Sequence, residues 1–266
     1  MANQPAQNLP NIDLGDHQSL WKEHLELQTK VLESVDAKYI FPSKGWQSAR
    51  KVLDIGCGEG SHFLRIQSQY PDKSYTGIDV DKDAISMAQA KTSEVLFLAK
   101  DLYSYTPTQE FDFAIARLLI QHLPNLDNFL DFAQACLNPG GTLLVVDGYE
   151  ELKRIGPKAP LLKAAYDELA KAQKQRGTAR NGSLELVNLA YKHGFQVEQE
   201  IIEALYAERD FSKQDLKHLY EVNSRVIKEL YGVPLDLNAI YAQLDDWVLD
   251  NAPVTVGVHI LTLQKI

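Results

Sequence analysis

The 266-residue sequence contains two cysteines, Cys57 and Cys136, too few for a disulfide framework and suited to a reducing compartment. Its seven histidines are dispersed, and no His/Cys/Asp/Glu cluster has zinc spacing, so no metal is expected. Asp147, Glu150 and Glu151 could join a magnesium site, but nothing else in the sequence points to one. No apolar run approaches the roughly 18–20 residues that span a bilayer. The opening MANQPAQNLPN lacks both the basic region and the apolar core of a signal peptide. These absences lead us to expect a soluble, cytoplasmic chain. An excess of positive charge is missing too: 27 Lys+Arg stand against 36 Asp+Glu, a net −9. That balance disfavours non-specific binding to nucleic acid or an anionic membrane. There is no internal repeat and no low-complexity tract. With 45% hydrophobic and 24% charged residues, the composition is that of an ordinary globular protein, one large α/β domain or two small ones.

Short β-rich runs alternate with helical stretches. Strands are expected at 51–55, 75–80, 95–99, 111–116 and 142–147, with two more at 195–204 and 254–265. Helices are expected at 61–69, 82–90, 126–137 and 183–193. In the third of these, Leu126, Phe129, Leu130, Ala133 and Leu137 fall on one face, and Asn138-Pro139-Gly140-Gly141 stops it. Strand, helix, strand repeated in this way predicts a parallel sheet with helices on both faces. Residues 1–15 read as a loose arm, and 16–37 as an amphipathic helix that packs on the domain or closes over a site. The helical patterns at 151–182 and 212–251 interrupt the alternation and read as cover or lid.

The segment that carries chemistry is Val52-Leu53-Asp54-Ile55-Gly56-Cys57-Gly58-Glu59-Gly60, an apolar strand running into three alternating glycines and then a helix. Glycines let a backbone turn sharply and approach a ligand, and a helix start offers unpaired N–H groups. A dinucleotide fingerprint, G-x-G-x-x-G, requires glycine at position 61, where this chain has Ser61. Asp54 before the loop would sit badly beside a pyrophosphate but well beside an ammonium group. Asp79 ends the second strand, where an acid can accept both ribose hydroxyls, and Asp101 follows the third, within reach of an adenine amino group. A ligand with an ammonium, a ribose and an adenine fits this set better than NAD.

On these residues the chain resembles the class I S-adenosylmethionine-dependent methyltransferases. VLDIGCGEG is similar to the family's first motif, YTGIDVD and FLAKDLYSY to its second- and third-strand acids, and FDFAIARLLIQHLPN and LNPGGTLLVVD to its fourth- and fifth-strand motifs. The HGF at 193–195 and the closing VTVGVHILTLQKI resemble the late helix–strand junction and the final strand. The resemblance implies an α/β, Rossmann-like, doubly wound and mostly parallel seven-stranded sheet with an antiparallel C-terminal strand, plus helical lid insertions. One domain over 1–266 is implied: an arm and helix at 1–38, a cofactor core at 39–150, cover at 151–182 and 205–252, and completion of the core at 183–204 and 253–266.

The same resemblance assigns roles with S-adenosyl-L-methionine as cofactor. Gly56, Cys57, Gly58 and Gly60 line its methionine and ribose, and Asp54 lies near the amino group directly or through water. Asp79 holds the ribose hydroxyls, with Val80 beside the adenine, and Asp101 and Leu102 meet the adenine edge. The Arg117 carbonyl meets the methionine amine, or its guanidinium meets the substrate instead. Cys57 itself reads as a packing thiol, as does Cys136. His122 reads equally as a structural histidine and as a general base. Gln121, His122 and Tyr149 are candidate substrate contacts, joined by Asp147 and Glu150 at the carboxyl end of the sheet. Arg180 and Asn181 are within the lid turn and could reach the site, with turn formation the preferred role.

The expected function is methyl transfer to an O, N, S or C nucleophile of a small molecule, by alignment and desolvation, with oligomeric state open. A protein or RNA methyltransferase would show a positive stripe, which the sequence lacks. Ser61 and Asp54 oppose an NAD-type oxidoreductase. The intact glycines, Asp54 and Asp79 oppose a non-catalytic S-adenosylmethionine-binding protein.

Overall fold

A computed structural model describes residues 18–108, 110–175, 177–178 and 180–266; the expected arm at 1–15 and the start of the first helix lie outside them. The chain opens with α1 (Gln18–Val31), the one-turn α2 (Glu33–Val35), a π-helical turn at Asp36–Ile40 and α3 (Lys44–Ser48). Then come β1 (Lys51–Ile55), α4 (Ser61–Ile66), β2 (Ser74–Asp79), α5 (Lys82–Lys91), β3 (Val95–Ala99) and β4 (Phe111–Arg117). They are followed by α6 (Leu126–Cys136), β5 (Leu137–Gly148), α7 (Pro160–Gln175), α8 (Ser183–Leu189) and β6 (Phe195–Tyr206). The chain ends in α9 (Lys213–Leu230), α10 (Leu237–Leu249) and β7 (Thr255–Lys265). Among the described residues these strands form one seven-stranded sheet in the order β3-β2-β1-β4-β5-β7-β6. The strands β3 to β5 pair in parallel, and β7 runs antiparallel between β5 and β6. The expected α/β, Rossmann-like sheet with an antiparallel last strand is therefore the observed fold.

Period-2 alternation sorts the strand residues into two cores. Val52, Phe113, Ile115, Leu144 and Val146 pack with Trp46 of α3 and with Phe63 and Ile66 of α4. Leu53, Ile55, Ala114, Ala116, Leu143 and Val145 pack on the opposite face with Phe129, Leu130 and Ala133 of α6 and Leu186 of α8. The helices start where short polar side chains cap them. Asp81 accepts from the Asp83 and Ala84 amides at 2.9 and 3.1 Å, and Asn125 from Asn128 at 2.9 Å.

Three boundaries differ from expectation. The helix predicted to Gln69 ends at Ile66, and the helix predicted over 183–193 gives way to a 3₁₀ turn at Ala190. Asn138–Gly141 is no simple stop between elements. Leu137 already pairs with Phe111, and the next pair is Phe113 with Thr142, so the Pro-Gly-Gly run is accommodated as an irregularity inside β5. Among the described residues, no helix is long and apolar enough to cross a membrane.

Gly60 shows why the loop after β1 is glycine-bound. Its φ is +78°, and a Cβ there would lie 2.5 Å from Cζ of Phe97, a ring that is itself fully buried. Left-handed backbone costs a side chain about 1–2 kcal/mol, and overpacking about 1–3 kcal/mol more. Gly60→Ala is expected to lower stability by about 3 kcal/mol in urea denaturation; a loss under about 1 kcal/mol would show that Phe97 gives way.

Candidate active site

Three loops at the carboxyl ends of β1, β2 and β3 bring the predicted cofactor residues together. The Gly56 and Cys57 amides both donate to the Ile78 carbonyl, at 2.9 and 3.0 Å, which fixes the glycine loop to β2. Asp79 then accepts from the Gly58 amide at 2.8 Å and from the Asp81 amide at 3.0 Å. Burial, opposed by those two amides, raises the Asp79 carboxyl above its ordinary pKa. Val80, just past the strand, is 45% exposed and lies open beside it. Asp101 closes the turn after β3, accepting from the Tyr103 amide at 3.0 Å, with Leu102 half-buried next to it. The Cys57 side chain turns away towards β2: its Sγ stands 2.8 Å from where a Cβ on Gly77 would be, and burial raises its thiol well above the ordinary value. It packs, as expected, leaving only its backbone to the loop.

A buried ionic chain lies behind this loop. Asp54, at the end of β1, faces Nδ1 of His62 at 3.7 Å, and Nε2 of His62 faces Asp36 at 3.4 Å. Asp36 also pairs with Arg65 and, at 3.3 Å, with Arg117. Burial alone would raise the Asp36 carboxyl, but Arg117, His62 and Arg65 more than offset it and hold it below the usual range. Asp54 is thus buried at the end of β1, just before the glycine loop. The Arg117 guanidinium is turned onto Asp36. Asp36 and His62 carry no motif and were not foreseen.

Beyond β4 and β5 opens a cavity with about 940 Å³ of empty space, its mouth included, roofed by α1, α7 and α9. Gln121 and His122 line it as expected. His122 keeps exposed surface, although its ring is crowded by neighbouring protein atoms. That burial, with Arg180 nearby, lowers its pKa to about 4, so it is neutral and proton-accepting at neutral pH. The strand end sorts the acids. Asp147 is fully buried and accepts from the Gln121 amide at 3.1 Å and the Gly148 amide at 2.8 Å, and burial pushes it up to about 7. It positions Gln121 and does not line the cavity. Tyr149 corrects an expectation as well. Its amide bonds the Gly257 carbonyl at 2.9 Å, continuing the β5–β7 pairing, and its hydroxyl donates to Glu151 at 2.7 Å, so the side chain is outside the cavity wall.

Glu150 lines the cavity in its place, with Lys153 and Arg180. Arg180 meets Glu150 at 2.5 Å, and the Asn181 side chain accepts from the Glu150 amide at 3.0 Å, so both residues do more than form a turn. Lys153 lies 3.0 Å above the Tyr166 ring, and burial, opposed by Glu150, lowers it to about 7. One sequence signal could have revealed this end: Tyr166, Tyr220 and Asn223 are polar-tipped residues within otherwise apolar helix stripes.

Cavity and glycine loop share two walls. A Cβ on Gly56 would lie 2.7 Å from Leu119, whose neighbours Leu118, Gln121 and His122 line the cavity. A Cβ on Gly58 would lie 2.9 Å from Leu25 of α1, whose Trp21, His24 and Gln28 line the cavity too. Leu118 takes a left-handed φ of +53° at the junction, a strain found where a site fixes its backbone. The donor set fits the expected cofactor: carboxylates stand at the carboxyl ends of β1, β2 and β3, in Asp54, Asp79 and Asp101, around a glycine-rich turn. Among the described residues, no group of three or more His, Cys, Asp or Glu is placed to hold a metal ion.

Known proteins show the family and the fold. The family described as a methyltransferase domain matches residues 26–200. Trans-aconitate 2-methyltransferase of Rhizobium meliloti (strain 1021) is 34% identical over 97 residues, 36% of this chain and 38% of that one. Malonyl-[acyl-carrier protein] O-methyltransferase 2 of Ilyobacter polytropus is 27% identical over 109 residues, 38% of this chain and 42% of that one. The chain thus spans about two fifths of the length of these curated relatives. The O-methyltransferase of a Brevibacillus brevis trans-AT polyketide synthase, solved with S-adenosyl-L-homocysteine, superposes with a TM-score of 0.53 at 14% identity, covering 99% of this chain and 81% of that one, a likeness of fold.

Proposed function

The chain belongs to the methyltransferase-domain family, and from that premise we propose that it transfers a methyl group from S-adenosyl-L-methionine to a small molecule held in the roofed cavity. The observation that carries this reading is the shared wall: residues 118–122 and α1 touch the glycine loop on one side and the cavity on the other. The relatives that act on trans-aconitate and on a malonyl carrier are named for non-polymer acceptor groups, which supports the small-molecule reading. In this reading the whole chain works as one domain, with α1, α7, α9 and α10 as cover over the sheet.

The bound cofactor would supply an already activated methyl group on a sulfonium sulfur. What the protein adds is position and dryness. Asp79 and the backbone of the glycine loop would hold the ribose and methionine portion, Asp101 and Leu102 the adenine, and Asp54 with the Arg117 carbonyl the amino group. The α1 helix excludes water from above. Asp147 locks Gln121, and with it the 3₁₀ turn that presents His122.

His122 accepts the nucleophile's proton or orients it by a hydrogen bond. A base this weak contributes at the low end of the usual range, so His122→Ala is expected to lower kcat about 10²-fold with cofactor affinity unchanged. A loss below about tenfold removes the residue from that role. Because the ring is neutral above about pH 4, the fall in kcat that His122 causes should centre near its pKa of about 4 and be absent in His122→Ala. Calorimetry with S-adenosylmethionine and NAD tests the whole reading: NAD binding without S-adenosylmethionine binding would overturn it.

A further inference from the structure

The Arg180 end of the cavity has a composition that methyl transfer alone does not require. Arg180, Lys153 and Glu150 meet there beneath Tyr166 and Tyr220, against an otherwise apolar lining that includes Leu169, Leu216 and Leu219. The acid is already spoken for. Glu150 meets Arg180 at 2.5 Å and Lys153 at 3.7 Å, and the two cations more than offset the rise that burial would cause, holding its carboxyl below the ordinary value.

The donors are not all satisfied. Among the described residues, Nε of Arg180 and the hydroxyl of Tyr220 are buried without a hydrogen-bond partner, as is Nδ1 of His24 in the same cavity. Tyr220 is only 2% exposed, and its electrostatic neighbours are Tyr166, Glu150 and Arg180. Buried donors left unpaired each cost about 1–3 kcal/mol, so a wall that keeps two of them, one on Arg180 itself, beside Lys153 is built for a ligand bearing acceptor oxygens. An amine would have to compete for Glu150 with Arg180 and Lys153 and would leave the orphaned donors unpaired. Two cations against one acid leave room for one further negative charge.

We propose that this end of the cavity is a carboxylate-binding subsite: the acceptor substrate is an amphipathic monocarboxylic acid, its apolar body along the leucine-lined wall and its carboxylate on Arg180, Lys153 and Tyr220. Held in this way, the remainder of the molecule lies in the cavity that His122 also lines. Specificity then follows from the orphaned donors, since a neutral analogue leaves them unpaired. The inference rests on the methyltransferase reading for what happens at the other end of the substrate, but the subsite can be tested without turnover.

The test is calorimetry with octanoate and 3-phenylpropanoate, each against its amide and its amine, on the protein alone and again saturated with S-adenosylhomocysteine. The acids are expected to bind at least about tenfold tighter than their amides, as a charge-assisted pair requires, and the amines not at all. Arg180→Gln should abolish the acid-over-amide preference. Tyr220→Phe, which keeps the ring, should weaken the acids about threefold to tenfold and leave S-adenosylhomocysteine affinity unchanged, which separates a lost contact from a lost fold. Lys153 adds an independent signature. Its pKa of about 7 leaves it mostly neutral at pH 8, so a carboxylate that draws it into the charged form makes binding take up protons, read from the buffer dependence of the heat. Equal binding of acid and amide, tighter binding of either amine, an acid preference that survives Arg180→Gln, or no binding of either acid would overturn the subsite. Absence of S-adenosylhomocysteine binding would instead overturn the proposed function, with the acid titrations of the protein alone still deciding the subsite.

Discussion

Replacing Asp36 by Asn is expected to lower stability by about 3–5 kcal/mol, the cost of breaking a buried ion pair from one side. The carboxylate is fully buried and holds Arg65, Arg117 and His62 at once. Asn keeps the shape but leaves Arg117, a side chain only 9% exposed, without its counter-charge. Arg65 is 25% exposed and recovers part of its loss from water, which argues for the lower half of the range. For a chain of this size, urea denaturation should show the deficit directly, and the melting temperature should fall by about 10 °C. Its pH dependence has a definite sign. The folded carboxyl lies below its ordinary value, so its stabilisation is fully present above the unfolded value of about 3.9 and is lost as pH falls through the folded one. The gap between the native protein and Asp36→Asn should therefore be constant from pH 7 to about 5 and close on further acidification. Coupling is the sharper test: Arg117→Met added to Asp36→Asn should restore part of the loss, because it removes the orphaned charge. Additive losses in the double variant would mean that the two residues do not act as a pair.

Asp36 also shows where a sequence stops being readable. The sheet and the glycine loop were legible because their constraints are local. Strand residues such as Val52 and Leu53 alternate between two cores, and Gly60 must adopt a left-handed backbone against Phe97. The order of acids after β1, β2 and β3 follows from the same local grammar. The ionic chain has no such period. Asp36 and Arg117 lie 81 positions apart and meet only because a π-helical turn lowers the end of the N-terminal helical segment onto the carboxyl end of β4. Arg117 stands at its strand end as the sequence indicates, but nothing near it in the chain announces the buried acid that its side chain meets. Tyr149 failed for the opposite reason. It was chosen for standing after a strand, but β5–β7 pairing continues through its amide and hands the cavity to Glu150. Arg180 looked like part of a turn because its partners, Glu150 and Gln173, are known only once the fold has brought them together.

Replacing Asp79 by Ala should cost the chain about 10²- to 10³-fold in affinity for S-adenosylmethionine, with little change in fold. Two losses combine. In the proposed site the carboxylate accepts the ribose hydroxyls, and charge-assisted hydrogen bonds of this kind are worth about 1.5–3 kcal/mol. The structure adds an indirect part: the same carboxylate holds the Gly58 amide at 2.8 Å and the Asp81 amide at 3.0 Å, so its removal loosens the glycine loop as well as the ribose contact. Asp79→Asn, whose side-chain oxygen can still accept from one amide, should lose less, about tenfold. Because the lost contacts are far from the methyl group, the effect should appear in the KM for S-adenosylmethionine, with kcat at saturation changed only a few-fold. Burial raises the Asp79 carboxyl, so cofactor affinity should weaken towards acid pH as that group takes up its proton, and the weakening should vanish in Asp79→Ala. Calorimetry at two pH values reads both effects. A change in Kd of under about threefold in Asp79→Ala would remove this residue from the ribose position and, with it, the main support for the cofactor's placement across the carboxyl ends of β1, β2 and β3.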